Sequence, residues 1–424
     1  MKIGIDFGTT NSSVAVARDG VVETASFASS GGFSESFRSV LYLELVKQAG
    51  GLTGVKSFSG NPAIDQYLAA DTKGRLIQSL KSFLSSRMFQ KTEVLGRMYT
   101  LEDLIARILR EIREEAERHF QIPIRAVTAG RPVRFVGSDK DEDDKLAISR
   151  LGQAYLQAGF ETIEFELEPI AAAQFYEARL DHDELILIGD FGGGTSDFSL
   201  LRVGPGIRKR GRVPSDLLGN AGLGLAGDTF DARIIRQLVS PALGAGSKIE
   251  SMGKILPTPN WVYAKLERWH LLSFLRTRET LNMLESIRAQ SQEPEKIEAL
   301  LHIVNEDLGY QLHRSVQRTK CELSAESQAR FYFTDGVVEI DAMVTRADFE
   351  KWIDVELKSI EACVDELIAR SGVGRNDVDM LFLTGGSSFV PAVRKIFADR
   401  FGEERIQSGN EFTSVARGLA LVKG

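Results

Sequence analysis

Apolar positions along this chain follow two spacings, and the spacing changes mark its elements. Near-continuous or alternating apolar runs predict strands at Arg125–Ala129, Thr162–Leu167, Leu185–Ile188, 329–340 and Met380–Leu383, with a hairpin over 1–24 turning at Asp19-Gly20. Helical spacing appears at 75–89, where Leu76, Leu80, Phe83 and Leu84 share one face. Thr100 and Asp103 form a capping-box pattern before Leu101, Leu104, Ile105, Ile108 and Ile112. Further helices are predicted over Lys145–Ala158 behind the acidic run Asp139–Asp144, and over Ile170–Ala178, Asp228–Leu238, most of 260–318, Arg346–Ser371, from Pro391, and over Ala416–Val422. Residues 26–61 read as irregular around the apolar run Val40–Val46, and 219–227 as a glycine-rich loop. Residues 198–213 read as a hairpin, its Arg208–Arg212 cluster protecting an edge strand. The helix around 260–285, with Trp261, Trp269, Phe274 and Leu281, reads as core. Alternation of strands and helices in two half-chains predicts an α/β fold with ligands at the carboxyl ends of its strands.

One pattern occurs twice. Asp6-Phe7-Gly8-Thr9-Thr10-Asn11-Ser12-Ser13 and Asp190-Phe191-Gly192-Gly193-Gly194-Thr195-Ser196-Asp197 each lie between two apolar runs. Each predicts a hairpin whose tip is built of small residues and hydroxyls. Such a tip leaves backbone N–H groups uncovered, and clustered N–H groups bind anions. Asp6 and Asp190, at the strand ends, can hold a divalent cation through water. Two such hairpins facing each other would clamp a metal–polyphosphate.

Composition narrows the class. The chain has 424 residues, 43% of them hydrophobic, enough for two substantial cores. Its formal net charge of −7 gives no basic excess for nucleic acid. No apolar run approaches a membrane helix, and the first strand leaves no room for a signal peptide. Two cysteines make no disulfide framework, so a cytoplasmic protein is expected.

The ordered set Ile5-Asp6-Phe7-Gly8-Thr9-Thr10-Asn11-Ser12, Glu168-Pro169-Ile170-Ala171-Ala172-Ala173, Asp190 to Asp197, Gly227-Asp228-Thr229-Phe230-Asp231, Val344 to Glu350 and Thr384-Gly385-Gly386-Ser387-Ser388-Phe389-Val390-Pro391 resembles the nucleotide-binding domain of the DnaK-type, seventy-kilodalton heat-shock chaperones. It is most similar to the short, YegD-like members that lack the peptide-binding domain. The resemblance implies an actin-like ATPase (ribonuclease H-like) duplicated fold, with lobe I over 1–180, lobe II over 181–424, a nucleotide cleft between them, and a helical insertion around 240–318.

It further implies ATP or ADP with Mg²⁺ as cofactors. Asp6, Asp190 and Glu168 take the metal positions. Lys81, Glu168, Asp190 and Thr195 take the catalytic ones, with Lys81 reaching the γ-phosphate. Gly8, Thr9, Thr10, Asn11, Gly192, Gly193, Gly194, Asp197, Gly227, Gln317, Lys320, Ser324, Gly385, Gly386, Ser387 and Phe389 take the nucleotide-binding ones. Cys321 and Phe389 replace the two arginines that sandwich adenine in the family, and a phenyl ring can stack on a base in their stead. The implied function is a slow chaperone-like ATPase switch. A small-molecule kinase and a nucleotide-binding filament or scaffold protein are the alternatives. A folded protein partner on the lobe surface is expected, and neither short unfolded peptides nor nucleic acid nor membrane.

Overall fold

The computed structural model describes the chain except residues 30–31, 48–52, 71–73, 139, 252, 269–274, 408–413 and 422–424. Asp139, Trp269, Phe274 and Val422, named above, lie outside the described residues. The described residues form two compact units: 1–226 with 360–388 and 394–424, and 227–359 with 389–393.

The first unit contains the same sheet twice. In the first copy β1 (Lys2–Phe7) runs antiparallel to β2 (Asn11–Arg18), which pairs with β3 (Val21–Thr24) and with the short β4 (Phe37–Arg38). On its other side β1 runs parallel to β5 (Ala126–Arg131), and β5 parallel to β6 (Thr162–Leu167). In the second copy β7 (Glu184–Phe191) is antiparallel to β8 (Ser196–Val203), which pairs with β9 (Leu217–Leu223). Its other side is parallel to β10 (Met380–Thr384), then β11 (Ile406–Gln407). Both sheets therefore have antiparallel strands on one flank of the central strand and two parallel strands on the other; the antiparallel flank has two strands in the second sheet and gains the short β4 in the first. This is the predicted duplication, and it makes the fold α/β.

Consecutive Ile186, Leu187 and Ile188 make β7 apolar on both faces, as a strand covered by helices must be. In β1, Ile3, Ile5 and Phe7 line one buried face, and on the other Gly4 lies against helix Ser414–Leu421. Helix Leu101–Phe120 lays Leu104, Ile105, Ile108, Leu109 and Ile112 into the first core. Its start is fixed in both directions: Thr100 Oγ1 accepts from Asp103 N, and Asp103 Oδ2 accepts from Thr100 N. Helix Ser414–Leu421 crosses behind β1 and helix Glu168–Glu177, and there Gly418 leaves no room for a side chain. A Cβ would sit 1.6 Å from Ala171 O.

Five predictions fail, most of them where longer-range pairing overrides local pattern. Residues 75–89 are not one helix. Arg75–Gln78 is a strand paired with Val40–Leu43, and Leu80–Phe83 is a single 3₁₀ turn. Ser79 between them is left-handed (φ 58°), which a helix cannot accommodate. Residues 198–213 are not a hairpin. β8 ends at Val203, and Pro205–Arg210 turns into a short helix with Pro at its start. The arginines there tie down backbone: Arg208 donates to Ala178 O and Leu180 O, and Arg212 to Arg202 O. The strand pairing with β8 is β9, read above as a glycine loop. Residues 26–61, read as irregular, hold the hairpin Phe27–Ser29/Gly32–Ser34 and a ladder of Val40–Lys47 with Thr53–Ser59. The helix predicted over 346–371 is interrupted at Ile353.

The second unit is mainly helical. It carries helices Gly227–Ile234, Asn260–Leu266, Arg278–Gln290, Pro294–Asn305 and Gly309–Ala325, with hairpins Lys248–Ser251/Lys254–Pro257 and Gln328–Thr334/Glu339–Thr345. Among the described residues no helix is long and apolar enough to cross a membrane.

Candidate functional site

The two repeated hairpins have one register. Asp6 lies opposite Ser13, and Asp190 opposite Asp197. The second tip is closed by Gly192 N donating to Thr195 O at 2.8 Å. Both acidic strand ends belong to a single cluster in the first unit.

Lys81 Nζ donates to Glu168 Oε1 at 2.7 Å. Glu168 opens helix Glu168–Glu177, with Pro169 in its first turn. Lys81 is 8% exposed, carried by the 3₁₀ turn and not by the predicted helix. Thr384 Oγ1, at the end of β10, donates to Asp190 Oδ1 at 2.8 Å. The next residue, Gly385, has φ +83°, and a Cβ there would meet Phe191 O at 2.0 Å, so only glycine fits this turn. Asp190, Asp197, Glu168 and Thr384 also line a cavity of about 20 Å³ with Ser199 and Pro132, room for roughly one water.

The electrostatics of the cluster are unbalanced. Among the described residues, Asp6, Glu168, Asp190 and Asp197 act on one another and on the ammonium of Lys81. Burial, then Glu168, pushes Asp6 up to about 8. Burial, then Asp190, pushes Asp197 up to about 7. Asp190 is raised by burial and Glu168, against the hydrogen bond from Thr384. Burial would lower Lys81, but Glu168, Asp6 and Asp190 more than offset it and hold it above its ordinary value. A cluster of carboxylates around one lysine favours added positive charge. Among the described residues no three His, Cys, Asp or Glu stand together as direct metal ligands.

In the second unit Gly227, Gln317 and Lys320 lie around a buried carboxylate. Asp231 is fully buried, and Lys320 Nζ is 2.8 Å from its Oδ1 and also donates to Gly227 O at 3.2 Å. Burial weakens the acidity of Asp231 against the opposing pull of Lys320 and Gln317. Ser324 Oγ donates to Lys320 O on its own helix. Phe389 ends the turn Gly386–Phe389 and is 52% exposed, while Ser387 is buried. Cys321 is an exposed free thiol.

Sequence reasoning missed two participants. Thr384 was read only as the first residue of the glycine motif after a strand, although a hydroxyl directly before the glycine pair is a usable signal. Asp231 was read only as part of a motif; its signal is a carboxylate beside Phe230 on a buried helix face.

The comparisons with known proteins agree with this architecture. The model of the Hsp70 protein family matches residues 45–251 and 283–424. The chain is similar to the chaperone protein DnaK of Prochlorococcus marinus, 25% identical over 442 residues, covering 100% of the chain and 58% of that protein. It is 24% identical over 434 residues to DnaK of Thermus thermophilus, covering 60% of it, and 24% over 431 residues to DnaK of Deinococcus proteolyticus, covering 59%. The chain thus spans about three fifths of the length of these curated relatives. Matching the family model over most of its length, with the duplicated sheets of the actin-like ATPase fold, the chain belongs to the Hsp70 family.

Proposed function

We propose that this chain binds ATP or ADP with Mg²⁺ and hydrolyses ATP slowly, as a chaperone-like ATPase whose conformation follows the nucleotide. The observation carrying this reading is the cluster Asp6, Lys81, Glu168, Asp190 and Thr384, assembled at the tips of two hairpins of matching register. Its lobes would be residues 1–180 and 181–424. A cytoplasmic location, which suits two free thiols, and a folded protein partner on the stretch 240–318 belong to the same proposal.

Asp6, Asp190 and Glu168 would hold Mg²⁺ through water, and that ion supplies positive charge against the phosphate oxygens. The backbone N–H groups of Gly8–Thr10 and Gly192–Gly194 would grip phosphate, with Thr9, Thr10, Asn11 and Thr195 adding side-chain donors. Glu168 gives Oε1 to Lys81, so Oε2 remains to orient or deprotonate a water. Lys81 would turn toward the terminal phosphate. Phosphoryl transfer to water needs chiefly such positioning and charge neutralisation. In the second unit Gln317, Lys320 and Ser324, with Gly227 and Phe389, would meet the nucleoside.

Calorimetry with ADP, with and without Mg²⁺, followed by steady-state ATP turnover, tests the reading. Magnesium-dependent ADP binding and slow phosphate release are expected. A protein that binds no adenine nucleotide under either condition overturns it.

A further inference from the structure

The match to the family model breaks off at residue 251 and resumes at 283. The strand Lys254–Pro257 lies inside this gap, and all four of its residues are exposed. Its partner Lys248–Ser251 is tied inward: Gln292 N donates to Lys248 O, and Ile249 bridges to Ser291. Among the described residues no strand pairs with the outer edge of Lys254–Pro257, where Ile255 is 62% and Leu256 47% exposed. Trp261, just beyond it, is also exposed, with Lys265 Nζ 5.0 Å above its ring. This stretch is basic on an otherwise acidic chain. Over 248–268 it carries Lys248, Lys254, Lys265 and Arg268 against Glu250 and Glu267, and Glu267 is already bound to Arg236.

In the same unit, helices Arg278–Gln290 and Pro294–Asn305 and the hairpin turn at 337–340 enclose an open cavity of about 450 Å³. Its apolar lining includes Leu301, Val338 and Ile340. Its rim carries Glu285, Glu295, Glu298 and Glu339 against the guanidinium of Arg288, which binds Glu285 and Glu298. Ser291 and Gln292, where the hairpin is anchored, join the two helices that line the cavity.

An exposed strand with basic flanks thus belongs to the same unit as a hollow of mixed lining whose rim carries glutamates. A two-fold dimer requires one surface patch that is complementary to itself, and two such features provide it. We propose that this face binds a second copy of the chain, the Lys254–Pro257 strand of each protomer seated over the acidic cavity of the other. Exposed Ile255 and Leu256 supply the apolar burial, and the lysines and glutamates set the orientation. The second copy is then the folded partner of the 240–318 stretch, and the proposal does not depend on nucleotide binding.

Sedimentation equilibrium of the full chain over a wide concentration range tests this. A monomer–dimer equilibrium weakened by salt is expected. I255D/L256D should raise its dissociation constant at least about tenfold. E295K/E298K should do the same, and mixing it with K254E should restore dimers, because the reversed charges then match. Circular dichroism checks folding; if the hairpin variant unfolds, the charge-reversal pair decides. A chain that stays monomeric throughout, or a dimer unmoved by both the charge reversals and salt, overturns the proposal, as does binding of an unrelated basic peptide to the cavity with no self-association.

Discussion

Asp190 and Asp197 lie directly across the β7–β8 ladder from one another, whereas Asp6 in the matching hairpin faces Ser13. The duplicated halves are therefore chemically unequal. The second hairpin carries an extra carboxylate and receives the Thr384 hydroxyl, while the register of the two is the same. Asp190→Asn removes the charge that both Asp197 and Glu168 sense, and it should cut ATP turnover by about a hundredfold, the scale of one preorganised charged group. Asp197→Ser, which copies the first hairpin, should cost less, about tenfold. Phosphate release at saturating ATP and Mg²⁺ measures both. Unchanged turnover in Asp190→Asn would remove this cluster from the reaction.

The carboxylates also set how the metal-free protein responds to pH. Asp6 at about 8 and Asp197 at about 7 bind protons in the folded state well above their unfolded value of 3.8. The native state is then the more protonated one between about pH 4 and pH 8, so stability falls as pH rises through this window. Urea midpoints in chelator should accordingly be lower at the upper end of that window than at its middle. Asp6→Asn should flatten that dependence, and Mg²⁺ should restore most stability at the upper pH. A midpoint that rises across the window in chelator would contradict the charge imbalance.

Phe389 is half-exposed at the end of its turn. If it stacks on the base, Phe389→Ala should weaken ADP binding by about 1–2 kcal/mol, the range for one stacked aromatic ring. Turnover at saturation should stay close to the parent's. Equal calorimetric affinity in mutant and parent would place the base elsewhere.

Gly385→Ala meets two obstacles, a left-handed backbone and Phe191 O at 2.0 Å. It should lower unfolding free energy by roughly 1–3 kcal/mol, the cost of one strained residue, and more if the strand end must shift. Gly386→Ala, where a Cβ meets nothing within 4 Å, is the control and should be nearly silent. Equal urea midpoints for the two variants would refute the argument.

Much of this was legible because it is local. The two hairpins are written in contiguous residues, and Thr100–Asp103 announces its own cap. What the sequence hid depends on distant partners. Arg75–Gln78 has a helix-compatible pattern, but Val40–Leu43 offers it a ladder. Leu217–Leu223 looks like a loop because its glycines are small, and small residues are what the packing against β8 and helix Asp354–Ser371 requires; a Cβ on Gly219 would meet Leu367 at 2.9 Å. Lys81 was found by position in the motif, yet its ion pair with Glu168 spans residues with no sequence periodicity in common. Asp231 gained its meaning only when Lys320, a full helix away, was seen beside it.

The contact at Gly418 gives helix Ser414–Leu421 a mechanical role. It bears on Ala171, three residues along the helix from Glu168, with main chain meeting main chain and no side chain to give way. The carboxylate that holds Lys81 is thus propped from behind by a rigid strut. A methyl group at 418 would act as a wedge, driving the front of helix Glu168–Glu177 off its seat and parting Glu168 from Lys81 without touching either.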